Sequence, residues 1–413
     1  MFRIGIPLLL LGIQVALFWK SRRWLSERYP GKRWAKSLHI TCFALFTVAL
    51  VTVAIIRPRL WDMPSWFIYG AAYPFFIWHG ATFFIGLVLL VFWIIRLPLT
   101  ISIWVAQRIP ASRKKIDLLK TTELFQRFDA SRRTFIRTGA YGLTGVSFGA
   151  SAYGVLFGRS ECNVTEAEFV IPSLPRGLDG FTIGLMSDIH SSVYMTKQDM
   201  AGFVQKMNAL KTDMILVTGD FVNSMVEEVY PFAEAFSQLS AAHGVYGVLG
   251  NHDFFTRNVD LIAREIDDCG LKLLRNDKVM IEKNGEQFYL LGVDDIGRPE
   301  RATEAIEAAL AHTKDGISTI LMCHRPYFLR QASEKNIDLV LSGHTHGGQV
   351  SLGTFGETII APASLASPYV WGKYRIKDTH MYVNRGIGTV GLPIRINCPP
   401  EITVVRLRSG QTS

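Results

Sequence analysis

Five short apolar runs, each closed by side chains able to hold a metal, constrain this chain more than any other feature. Phe181–Met186 leads into Ser187-Asp188-Ile189-His190, Met214–Val217 into Thr218-Gly219-Asp220, and Val245–Leu249 into Gly250-Asn251-His252-Asp253. Ile317–Met322 leads into Cys323-His324-Arg325-Pro326, and Ile337–Leu341 into Gly343-His344-Thr345-His346-Gly347. Runs of this length and character predict buried strands, and α/β sheets keep their sites outside strand carboxyl ends. Residues i and i+2 of an extended segment point the same way, so His344 and His346 are expected to reach one site. The glycines around them allow a sharp turn and a close backbone approach. A loop of solvated histidines would explain His344 and His346 alone. It does not explain Asp188, His190, Asp220, Asn251 and His324 at four further strand ends.

The blocks Asp188-x-His190, Gly219-Asp220, Gly250-Asn251-His252-Asp253, His324 and Gly343-His344-x-His346 follow the order found in the calcineurin-like metallophosphoesterases. From about Phe169 to Leu407 the chain resembles that family. The resemblance implies an α/β domain, a four-layer α-β-β-α sandwich, acting as a two-metal phosphoester hydrolase. By the same resemblance Asp188, His190 and His346 complete one metal, Asn251, His324 and His344 complete the other, and Asp220 bridges them. Mixed nitrogen and oxygen ligation suits Mn, Fe or Zn and does not choose among them. His252 resembles the family's non-ligand histidine, which hydrogen-bonds phosphoryl oxygens or gives a proton to the leaving group. The phosphoprotein phosphatase branch carries Gly-Asp-x-x-Asp-Arg, whose second Asp orients that histidine. Here the stretch is Gly219-Asp220-Phe221-Val222-Asn223-Ser224, without the second Asp or the Arg, which argues against a protein phosphatase. The partner that orients His252 is left open between Asp253 and Asn223. Arg325, beside His324, is a candidate substrate contact to phosphate, with a structural ion pair as the other reading. Asp294-Asp295, after the run Phe288–Val293, reads as a strand-end turn.

The remaining length needs a second explanation. The 413 residues carry a formal charge of +9, unevenly spread. Up to Phe157 there are 20 Lys+Arg against 5 Asp+Glu, leaving 24 against 30 beyond it. The basic residues flank apolar segments, so membrane topology accounts for them and no nucleic-acid partner is expected. Ile4–Trp19, His39–Ile56, Trp66–Ile95 and Thr138–Phe157 read as about four transmembrane helices in a membrane region 1–158, with the metallophosphoesterase domain over 159–413. Pro74 is expected to kink the third span or to mark a re-entrant start, and Leu97–Ala106 to lie along the surface. Basic loops stay cytoplasmic. Placing Lys20–Lys36 and Arg96–Arg137 inside makes this a multi-pass protein of a bacterial inner membrane with its catalytic domain extracytoplasmic. Ser131-Arg132-Arg133-Thr134-Phe135-Ile136-Arg137 also looks like a twin-arginine export signal, with ordinary flanking charge as the other reading.

Alternation of strands with helical segments at Lys197–Leu210, Tyr230–Ala242, Val259–Cys269 and Arg301–Thr313 argues an α/β domain. The five cysteines show no CxxC pairing. Cys162 and Cys398 are the one pair weighed for a disulfide, and free thiols are the preferred reading. His39 and His79 are expected to pack within the membrane region. Tethering favours a lipid-linked or envelope phosphoester as substrate. The relatives in view include UDP-2,3-diacylglucosamine pyrophosphatases of lipid A synthesis, which work on the cytoplasmic side. A non-catalytic membrane sensor is the rival of another class, disfavoured by the intact ligand set.

Overall fold

The computed structural model of the protein describes residues 2–56, 64–159, 161–295, 297, 301–356 and 358–410. The chain divides into two compact units, Met1–Leu156 and Phe157–Ser413.

The first unit is helical, with helices Phe2–Arg28, Arg33–Ile56, Tyr73–Ala106, Pro110–Thr121 and Glu123–Leu156. Among the described residues two stretches, Arg33–Ile55 and Ile68–Ala106, are long and apolar enough to cross a membrane by length and composition, with mean hydropathies of 2.3 and 2.4. A π-helical turn, Ile68–Ala72, runs into the helix that Pro74 helps to start. There the missing proline N–H is of least consequence. Leu97–Ala106 is no separate piece; it continues that helix. Thr138–Phe157 likewise does not begin a helix. It continues one that starts at Glu123 and passes through the basic run. Charges in that run pair at helical spacing, Arg127 with Glu123 at 2.6 Å and Arg132 with Asp129 at 2.7 Å, which is compatible with its staying helical. Most of the expected connector Arg57–Ser65 lies outside the described residues. Gln14 ties three helices together. Its amide donates to His79 Nε2 at 2.7 Å, and its carbonyl accepts from Thr47 at 2.7 Å. His79 passes its Nδ1 proton to the Phe75 carbonyl at 2.7 Å, so it is a packing residue, as expected.

The second unit carries strands β1 (Asn163–Ile171), β2 (Thr182–Met186), β3 (Met214–Val217), β4 (Val245–Gly247), β5 (Lys272–Leu273), β6 (Asp277–Lys283) and β7 (Glu286–Val293). They are followed by β8 (Thr319–Cys323), β9 (Leu339–Ser342), β10 (Gly353–Phe355), β11 (Thr358–Ile360), β12 (Gly372–Ile376), β13 (Thr379–Val383) and β14 (Glu401–Ser409). Two six-stranded sheets form, in the orders β1-β14-β2-β3-β4-β5 and β12-β13-β9-β8-β7-β6, with β10 and β11 as a separate hairpin. Phe181, Leu185, Leu216, Leu290, Met322, Leu341 and Val405 pack between the sheets in one buried cluster. Helices Lys197–Ala209, Val229–Phe236 and Val259–Asp268 bury Met200, Phe203, Phe232, Phe236 and Ile266 against the outer face of the first sheet. Helices Ala302–Leu310 and Leu329–Glu334 bury Ala305, Ile306, Leu329 and Ala332 against the second. The result is the four-layer α-β-β-α sandwich.

Most expected elements shift by a residue or two. The helix over Tyr230–Ala242 is the exception, running only Val229–Phe236. Asn208 draws the residues after it into a loop, donating to the Gln238 carbonyl at 2.7 Å and accepting from the Ser240 amide at 3.1 Å. The parallel pairings β2–β3–β4 and β7–β8–β9 bring carboxyl ends together at one rim. Met186 lies opposite Val217 and Val217 opposite Gly247. Each of these strands therefore delivers its next residue to the same place.

Candidate metal centre

Backbone bonds lock these strand ends to one another. Asp188 N–H donates to the Gly219 carbonyl at 3.0 Å and His190 N–H to the Asp220 carbonyl at 2.9 Å. Across the sheets Gly388 N–H donates to the Asp188 carbonyl at 2.8 Å, and His344 N–H reaches the Asp188 carboxylate at 2.9 Å. The turns are too tight for side chains. A Cβ on Gly343 would collide with Ser187 and Asp188, and one on Gly250 with the Asp220 carboxylate.

Two clusters result. In the first, His190 Nε2 and His346 Nε2 face each other at 3.0 Å, and His346 Nε2 stands 3.3 Å from Asp188 Oδ1. In the second, His344 Nδ1 and His324 Nε2 lie 3.1 Å apart. Asp220 Oδ2 sits between them, 3.5 Å from His190 Nε2 and 3.2 Å from His324 Nε2. The groups Asp188/His190/His346, His190/Asp220/His252 and Asp220/His324/His344 each present donor atoms close enough to share a cation.

All seven sequence-predicted ligand positions come to this rim, but His344 and His346 do not share a direction. Both have positive φ, 75° and 52°, and their rings serve different clusters. Extended geometry therefore fails at this pair. Asp188, His190 and Asp220 are also left-handed, at φ 52°, 48° and 54°. Such conformations cost on the order of 1–3 kcal/mol each in a non-glycine residue and gather at functional sites.

The electrostatics suit cation binding. Burial lowers the pKa of His190 to about 3 and pushes His344 and His346 well below the ordinary histidine value, leaving neutral imidazoles. Burial also opposes protonation of His324, but the Asp220 and Asp188 carboxylates outweigh it and raise its pKa to about 10. Burial alone would raise Asp220; the imidazoles of His324, His252 and His190 instead hold it well below the usual carboxylate range. Asp188, buried beside Asp220, is pushed up to about 6. His324 Nδ1 donates to the Thr218 carbonyl at 2.8 Å, so Nε2 is the ring atom that faces the cluster. The Asn251 Oδ1 atom is buried and has no hydrogen-bond partner among the described residues. Ring nitrogens facing one another beside two carboxylates and a buried, unpartnered amide oxygen are an arrangement that divalent cations satisfy, the cation taking the place of the His324 proton.

His252 Nδ1 donates to the Asn223 main-chain carbonyl. Asp253, weighed as the orienting group, does something else. Its carboxylate accepts from the backbone amides of Gly250 at 2.8 Å, Asp220 at 3.1 Å, Phe221 at 3.0 Å and Val222 at 3.2 Å. It pins the Asp220 turn to the Asn251 turn. Burial pushes its pKa up to about 8 against those donors.

Two residues escaped sequence reasoning. Glu228 is buried, and its Oε2 accepts from the amides of Asn223 at 2.8 Å, Ser224 at 2.6 Å and Met225 at 3.0 Å. Burial raises its pKa to about 7. Arg395 is 1 % exposed, and its guanidinium donates to the carbonyls of Arg385 at 2.9 Å, Gly386 at 3.0 Å, Gly388 at 2.6 Å and Cys398 at 3.0 Å. It holds the loop that buttresses Asp188. Neither Glu228, the second of the Glu227-Glu228 pair, nor Arg395 stands in a pattern that marks it, because each acts on main-chain groups. Cys162 and Cys398 are free thiols, in line with the preferred reading. Arg325 Nε donates to Asp295 Oδ2 at 2.6 Å, so the ion pair is present.

Comparison with known proteins bears on this geometry. Residues 181–348 match the family model of the calcineurin-like phosphoesterases. The chain is 31% identical over 290 residues to the metallophosphoesterase YkuE of Bacillus subtilis (strain 168), covering 68% of this chain and 98% of that protein. It is 31% identical over 269 residues to a transmembrane protein with metallophosphoesterase domain of Danio rerio, covering 62% of this chain and 60% of that one. With the phosphodiesterase YaeI of Escherichia coli (strain K12) the identity is 29% over 234 residues, 56% of this chain and 82% of that protein. The likeness to YkuE spans nearly its whole length, and the matched model ends just past the second histidine of the paired set. The chain therefore belongs to the calcineurin-like metallophosphoesterases, metal-dependent hydrolases whose dinuclear sites the two clusters at this rim match.

Proposed function

We propose that the protein is a membrane-anchored phosphodiesterase with two divalent ions, Mn, Fe or Zn, at this rim. Asp188, His190 and His346 hold one ion, Asn251, His324 and His344 the other, and Asp220 bridges. The carrying observation is the place of a single atom, Asp220 Oδ2, within 3.5 Å of a histidine from each cluster. Bound there, the ions supply Lewis-acid activation of water and neutralise charge on the phosphoryl group. The chain supplies the rest. The strained turns hold seven side chains on one rim, so little reorganisation is needed on binding. The Asn223 carbonyl fixes the His252 tautomer, leaving Nε2, once protonated, to hydrogen-bond a phosphoryl oxygen or to give its proton to the departing alkoxide. Hydrolysis of bis-p-nitrophenyl phosphate by Mn²⁺-loaded protein, abolished in Asp220→Ala, tests this reading.

The same proposal places residues 1–158 in a bacterial inner membrane with about four spans and the catalytic domain outside. Its supports are the two long apolar helices, the transmembrane relative and the basic segments at Lys20–Lys36 and Arg96–Arg137. An envelope or lipid-linked phosphodiester is the substrate class that follows.

A further inference from the structure

Beside Asn251 opens a cavity of about 360 Å³ lined by Asn251, Phe254, Phe255, Asn276, Asp294 and Arg325 among others. Asn251 is common to this cavity and to the proposed metal site. A group occupying the cavity therefore sits next to the reacting phosphate. The volume lies at the small end for ligand pockets and fits one ring or a short chain.

Its polar groups are nearly all accounted for. Asp295 binds Arg325 Nε at 2.6 Å and the Gly297 amide at 2.8 Å. Asp294 Oδ2 accepts from Arg275 Nε at 2.9 Å, and the Asp294 amide donates to Asn276 Oδ1 at 3.1 Å. Apart from Asn251 Oδ1, which faces the proposed metal site, one carboxylate oxygen remains. Asp294 is 5 % exposed, and its Oδ1 is buried without a hydrogen-bond partner among the described residues. A buried carboxylate oxygen in that state calls for a donor. The lining holds two acids, Asp294 and Asp295, and two arginines, Arg301 and Arg325, so it carries no net charge and favours neither a second anion nor a cation. Phe254 and Phe255 add apolar ring surface. A neutral group with hydroxyl donors and an apolar face meets all of these conditions.

We infer that this cavity is the subsite for a neutral polyhydroxy group, a glycerol or a sugar, esterified to the scissile phosphate, with Asp294 Oδ1 accepting from one of its hydroxyls. The inference rests on the phosphodiesterase reading and narrows its substrate class.

The test uses full-length protein in detergent, loaded with Mn²⁺, and three p-nitrophenyl phosphodiesters whose second alcohol is glycerol, 1-propanol or the 5′-hydroxyl of uridine. All three release the same p-nitrophenolate. The expected kcat/KM for the glyceryl ester exceeds that for the propyl ester by about tenfold or more, because a site built to bind a hydroxyl rejects the analogue lacking it. In Asp294→Asn, Arg275 keeps the amide oxygen and the amide NH₂ takes the Oδ1 place, so a donor meets a donor. The glyceryl-to-propyl ratio should fall to about one with metal content retained. Equal rates on the two esters in the parent protein, or a ratio unchanged in Asp294→Asn, would overturn the inference. Preference for the uridine ester would also overturn it and give the cavity to a nucleobase. Failure to cleave even the propyl ester strikes instead at the phosphodiesterase reading beneath it.

Discussion

His252 donates a hydrogen bond from its Nδ1–H to the main-chain carbonyl of Asn223. A carbonyl only accepts, so the ring tautomer is fixed without a carboxylate, and Nε2 is the atom presented to substrate. The expected behaviour of His252→Gln follows: metal content stays at the parent level while kcat falls by roughly 10²–10⁴-fold, the usual worth of general acid–base help. Metal analysis beside steady-state kinetics checks it. Loss of metal together with activity would make His252 a ligand.

The Asn223 carbonyl is itself held in place by Glu228, which gathers three successive amides onto one oxygen. Removing that acceptor takes a hydrogen-bond partner from three partly exposed amides, at about 0.5–1.5 kcal/mol each. Glu228→Ala should lower Tm and reduce kcat with little change in KM or metal content, because the damage reaches the site only through His252. A double variant with His252→Gln should then lose no further kcat. Additive losses would show that Glu228 acts elsewhere.

Asp253 braces a different part of the same region. With four backbone amides converging on its carboxylate, Asp253→Ala should destabilise the domain by at least about 3 kcal/mol. It should also weaken metal binding, since the Asp220 and Asn251 turns lose their common anchor. Thermal denaturation and metal titration read the two effects. A parent-like Tm would show that these amides find other acceptors.

How far the residues themselves revealed this arrangement varies along the chain. The strands before Asp188, Asp220, Asn251, His324 and His344 were legible because buried parallel strands are short, continuous apolar runs. The candidate ligand set was legible because each run stops at a side chain that has no reason to be buried unless it binds something. The direction of His344 and His346 was not, since left-handed backbone in a non-glycine residue is imposed by surrounding contacts and leaves no local pattern. Glu228 and Arg395 were hidden for a related reason. Both act on main-chain amides and carbonyls, and any sequence supplies those. In the N-terminal unit the helix through Arg127–Arg137 was missed because its basic run was read as a loop, whereas charges paired at helical spacing are compatible with a continuous helix. Leu97–Ala106 was set apart as a surface segment although it carries no charge and continues the helix before it.

The proposed side of the membrane rests on the basic segments, because Lys and Arg near apolar helices set orientation. Alkaline phosphatase fused after Ser413 should be active, and a fluorescent reporter that matures only in the cytoplasm should stay dark there. The opposite pair of results would place the domain inside and favour a nucleotide-linked lipid as substrate.

Asp220 Oδ2 is the one atom that both clusters approach, and the two-ion account stands or falls on it. The most direct measurement is the metal content of the purified full-length protein and of Asp220→Ala. The account predicts close to two ions per chain in the first, and in the second loss of both ions together with bis-p-nitrophenyl phosphate hydrolysis. Full turnover by Asp220→Ala, or a fully active parent protein holding a single ion, would contradict it.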